Sequence, residues 1–151
     1  MVLDAWNSKI KETDALLDKL SDEQLNNEVA PGRNRGVYLL GHLVAVHDRM
    51  LTLLGLDERS YAQLDKAYLT DADKPGTELT PAKELRQYWK NVNSVLASHF
   101  SKMQPEDWFG KHNSVSAEDF AKEPHRNKLN VLISRTNHLS YHLGQLAFLK
   151  K

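Results

Sequence analysis

The 151-residue chain contains no cysteine. Disulfides, thiolate metal ligands and a cysteine nucleophile are therefore excluded, and a transition metal would have to be held by imidazole, carboxylate or water. Nor does one sign of charge prevail: Lys plus Arg and Asp plus Glu total 20 each, for a formal net charge of zero with His neutral. That balance gives no electrostatic footprint for nucleic acid and no pull towards an anionic membrane, so neither is expected as a partner. No apolar run approaches the length of a membrane span. The opening Met1-Val2-Leu3-Asp4-Ala5-Trp6 lacks the basic and apolar regions of a signal peptide, and a cytoplasmic location is the default expectation. Strict alternation of apolar and polar residues is missing too, so no strand is predicted. Internal repeats, low-complexity tracts and domain boundaries are likewise absent.

What is present is an apolar fraction of 40% and a charged fraction of 26%, the balance of a globular domain. The length suits one domain, residues 1–151, with a proper core. The apolar spacing is helical almost throughout. A first helix is predicted from about Val2 to Leu20, burying Leu3, Trp6, Ile10, Thr13, Leu16, Leu17 and Leu20. Ser21-Asp22-Glu23-Gln24 is a capping box opening a short extra turn, and Pro31-Gly32 breaks the chain. A second helix is predicted from about Arg35 to Leu54, stopped by Gly55. The long polar connection that follows holds a possible helical piece at Tyr61 to Leu69. Thr80-Pro81 reads as an N-cap with Pro in the first turn of a third helix running to about Met103. Glu106 to Arg126 reads as irregular, and a last helix covers about Asn127 to Lys150. Four long amphipathic helices with two substantial connections predict an all-α four-helix bundle.

The chemistry is carried by histidine. His138 and His142 are four residues apart on the last helix, so their side chains lie one above the other and can grip one ion. Such pairs also occur as hydrogen-bonded core residues. Both border the buried Leu139-Leu143-Leu146 stripe. A third ligand would come from the second helix, where His42 and His47 flank the apolar arc from either side; spacing does not choose between them. His99, His112 and His125 have no partner at ligand spacing, though His99 could contribute from the outer shell. A carboxylate-bridged di-iron site needs Glu-x-x-His pairs, and no Glu lies three residues before His42, His138 or His142.

Leu39-Leu40-Gly41-His42-Leu43, taken with Asn137-His138-Leu139-Ser140-Tyr141-His142-Leu143-Gly144-Gln145-Leu146, resembles the DinB/YfiT-like superfamily. The resemblance covers nearly the whole chain. It is strongest in the last helix, where His142 is followed by an apolar residue and Gly144-Gln145; the approaches Leu25 to Gly32 and Asp119 to Pro124 also fit. It implies a four-helix bundle with one divalent metal, zinc, nickel or iron, held by His42, His138 and His142, the Gly41-His42-Leu43 context selecting His42 over His47. Tyr141 and Gln145 would neighbour the metal, without an assigned role. The resemblance further implies a transferase that activates a low-molecular-weight thiol towards a small-molecule substrate, since open positions beside three imidazoles mark a catalytic rather than a structural site. The competing functions are a non-catalytic metal or small-ligand binding module, a stress-related dimeric protein, and a bundle without metal. The resemblance also implies a homodimer, which Trp6, Trp89 and Trp108 would suit as more aromatic surface than a small core needs, although three Trp are equally consistent with a monomer core.

Overall fold

The structure, a computed structural model, describes residues 1–150. Its elements are α1 (Val2–Leu17), a single turn α2 (Asp22–Leu25), α3 (Gly36–Leu53), α4 (Ala82–Phe100), a short α5 (Ala117–Lys122) and α6 (Lys128–Ala147). The long helices α1, α3, α4 and α6 form a bundle in which α3 packs on α4, α1 packs on α6, and α3 also meets α6. Among the described residues no strand forms. None of the helices is long and apolar enough to cross a membrane.

The bundle is centred on α3. Its sequence is apolar nearly all round, and a helix of that kind must be covered on every side; Leu39, Leu40, Leu43, Val44, Met50 and Leu51 are all buried. The predicted stripe of the first helix is buried at Trp6, Thr13, Leu16 and Leu17 of α1 and at Leu20 just beyond its end, while Leu3 and Ile10 are only partly covered. Polar groups tie the helices together. Trp89 Nε1 on α4 donates to Asp14 of α1 at 2.7 Å. Arg86 donates to the Leu17 and Leu20 carbonyls, both at 2.6 Å, satisfying the end of α1.

The connection from α3 to α4 is draped over α3 and fastened at both ends. Asp48, fully buried, accepts from Arg59 Nε at 2.8 Å and from the Ser60 amide at 2.9 Å. At the start of α3, Asp73 accepts from the Arg35 amide at 2.7 Å and pairs with its guanidinium at 2.6 Å. Between these anchors run a 3-10 turn (Ala62–Leu64) and a π-helical turn (Lys66–Thr70), which together occupy the helical piece expected at Tyr61 to Leu69.

Three readings of the sequence are corrected. The third helix starts one residue later than Thr80-Pro81 implies: Pro81 is itself the cap residue and the Thr80 side chain caps nothing, its amide donating instead to the Tyr68 hydroxyl at 2.9 Å. The segment from Glu106 to Arg126 is not wholly irregular. It holds most of a 3-10 helix (Pro105–Phe109) and α5, whose cap Ser116 accepts from the Asp119 amide at 3.0 Å. The tryptophans are not surplus surface either: Trp6 and Trp89 are core residues, and the partly buried Trp108 packs on Phe100. The aromatic argument for a dimer interface is thereby removed.

Candidate metal centre

α3 and α6 bring His42, His138 and His142 together, each offering a ring nitrogen within 4.8 Å of the others. No Asp or Glu joins this group among the described residues. His138 is the middle member, with its Nε2 3.0 Å from His42 Nε2 and 3.1 Å from His142 Nε2. Nitrogens about 2.0–2.1 Å from one zinc-like ion in tetrahedral geometry are roughly 3.3 Å apart, so these two spacings, which also suit N–H···N hydrogen bonds, are compatible with co-ligands.

The far side of each ring decides which nitrogen carries the proton. His42 Nδ1 is 2.8 Å from the Tyr68 carbonyl, which can only accept, so Nδ1 is the N–H and Nε2 presents its lone pair. His142 Nδ1 donates in the same way to Gln145 Oε1 at 2.7 Å, and Gln145 Nε2 in turn donates to the exposed Tyr141 hydroxyl at 3.3 Å. Two lone pairs are therefore aimed at His138 Nε2. A neutral imidazole has one proton, so His138 can satisfy at most one of them through Nε2–H. A cation among the three nitrogens satisfies all of them. His138 Nδ1 is buried without a partner, so its tautomer is the one that the fold leaves free.

All three rings resist protonation. Burial lowers the pKa of His42 and of His142 below the ordinary histidine value. Burial, then the neighbouring His142, His42 and Arg135, pushes His138 down to about 3. Neutral imidazole is the form that ligates metal.

The structure separates His47 from this group. It is fully buried between Trp6 and Trp89, with ring centroids 4.8 and 4.9 Å away. Its Nδ1 donates to Asn93 Oδ1 at 2.7 Å, and Asn93 Nδ2 donates to the Trp89 carbonyl at 2.9 Å. His99 contributes nothing to the cluster; it faces Asp57 at 3.2 Å. His112 accepts from the Ser114 amide at 3.2 Å and His125 is exposed. Sequence reasoning missed the Tyr68 carbonyl altogether, since a main-chain acceptor in an irregular connection leaves no mark in residue types. It also missed Arg135, which is legible in retrospect as the residue one turn before His138.

A family model described as the DinB superfamily matches residues 5–146. A crystal structure of a conserved protein from Enterococcus faecalis superimposes with a TM-score of 0.66 at 14% identity, over 98% of this chain and 92% of that one. At that identity the likeness speaks for the fold alone. No curated protein matches the chain in sequence.

Proposed function

The chain belongs to the DinB superfamily, and we propose that His42, His138 and His142 hold one divalent cation and that the site transfers a small thiol to an electrophilic substrate. The convergence of three Nε2 atoms, two with their lone pairs fixed by Tyr68 and Gln145, is the observation that carries this reading. A borderline cation such as zinc, nickel or iron suits an all-imidazole donor set. Such an ion, when bound, supplies the Lewis acidity that deprotonates a thiol near neutral pH.

The chain's own residues do the rest. Three neutral imidazoles fill only part of a coordination sphere and leave room for a reactant. The Tyr68 carbonyl and Gln145 orient the rings and raise the basicity of their ligating nitrogens. The lack of a carboxylate in the cluster fits a nucleophile that needs no general base once deprotonated. The Cys-free chain has no sulfur nucleophile of its own, so the thiol must come from solution.

The test is a panel of low-molecular-weight thiols incubated with a reactive electrophile and metal-loaded protein. Acceleration over the uncatalysed reaction is expected for at least one thiol, falling to background in His42→Ala. Metal binding without acceleration by any thiol would favour a non-catalytic metal-binding module instead.

A further inference from the structure

Among the described residues, Arg135 is the charged group near the histidines that the fold leaves without a counter-ion. It stands on α6 three residues before His138, hence about 4.5 Å along the helix axis from it. Its side chain is partly buried. Burial and the nearby Arg49 both act against its charge, and no acidic group acts in its favour.

Arg135 lines a cleft of about 600 Å³ together with Arg49, Thr52, Arg59, Asn113 and Ser114. The other two guanidiniums are matched. Arg59 pairs with Asp48 at 2.8 Å and with Asp65 at 2.5 Å, and Arg49 pairs with Asp65 at 2.7 Å. Three arginines against two aspartates leave one positive charge, that of Arg135. The floor of the cleft is fixed: Asn113 donates from its amide to the Leu53 carbonyl at 2.8 Å and from Nδ2 to the Thr52 carbonyl at 2.7 Å. Arg49 lies two turns beyond His42 on α3, while Arg135 lies one turn before His138 on α6. None of the three histidines lines the cleft; Arg135, whose charge is felt by His42 and His138, connects the two.

We propose that this cleft seats the anionic group, a carboxylate or a phosphate, of a small molecule whose other end reaches the histidine cluster, and that Arg135 is the principal ligand of that group. A planar guanidinium with free donors accommodates either anion in a two-pronged contact. Arg49 and Arg59 keep their donors on Asp48 and Asp65, so the net positive charge facing the ligand is that of Arg135. The link to the metal rests on the function proposed above; the anion seat does not.

The experiment uses metal-free protein, so that no anion can bind through an ion. Inorganic phosphate and succinate are titrated separately into isotopically labelled protein, following the Asn113 and Ser114 amide signals. At least one anion should shift these signals saturably, and which one does so assigns the class. Arg135→Gln should weaken binding about tenfold or more, the loss of a charge-assisted contact. Arg135→Lys, which keeps the charge and guards against a folding defect, should retain part of it. Equal affinity in Arg135→Gln and the unmodified protein would overturn the proposal, as would the lack of saturable binding of either anion at tens of millimolar. Metal content measured in parallel tests the histidine reading separately, since Arg135→Gln leaves all three histidines in place.

Discussion

Gly41 lies so close beneath Tyr68 that a Cβ added to it would overlap the tyrosine ring. The relationship matters because the next residue is His42, and the Tyr68 carbonyl is the acceptor that fixes the His42 tautomer. A glycine inside a helix costs about 1 kcal/mol relative to alanine. Here it admits the π-helical turn against α3 and so places that carbonyl. Gly41→Ala should force the turn away, lowering stability by about 1–3 kcal/mol. It should also weaken metal binding about tenfold or more, as for a lost outer-shell partner. Thermal denaturation and a chelator competition titration measure the two effects; unchanged metal affinity would show that the carbonyl does not matter.

Gln145 plays the matching part for His142, on the surface side of the cluster. Gln145→Leu removes the acceptor of the Nδ1 proton while keeping a helix-forming residue of similar size. Metal affinity should fall about 10–100-fold with stability little changed. Retention of full affinity in the competition titration would place the control of the His142 tautomer elsewhere.

His47 should behave as a core residue. His47→Ala leaves a hole between Trp6 and Trp89 and should cost about 2–4 kcal/mol, read by denaturant unfolding. Its burial lowers its pKa to about 4. The unfolded chain, with an ordinary histidine near 6.5, takes up the proton first, so stability falls as pH drops below that value. The loss stops growing once pH passes below about 4, where the folded form is protonated too. From pH 7.5 to 5.5 this residue should account for about 1 kcal/mol of lost stability in metal-free protein. His47→Gln should make the decline shallower by that amount; an unaltered slope would mean that His47 is not the buried titrating group described.

The helical spacing of apolar residues was enough to place the four long helices, because burial of a stripe is a periodic signal. The i,i+4 pair His138 and His142 was legible for the same reason. Choosing His42 over His47 was not possible from helical geometry, since both flank the apolar arc of α3; the family-like Gly41-His42-Leu43 context made the choice, and the packing of α1 and α4 around His47 gives its physical reason. The Ser116 cap of α5 was present in the sequence, but a six-residue helix buries no stripe and gives no periodicity to detect. The fastening of the α3–α4 connection by Asp48 and Asp73 was equally hidden, since a buried aspartate and a solvated one look alike in a sequence.

The most direct measurement is the divalent metal content of natively purified protein, by elemental analysis, for the unmodified chain and four alanine variants. One ion per chain is expected in the unmodified protein and in His47→Ala, and close to none in His42→Ala, His138→Ala and His142→Ala. Full metal retention in any of those three, or its loss in His47→Ala while His42→Ala keeps it, would contradict the account.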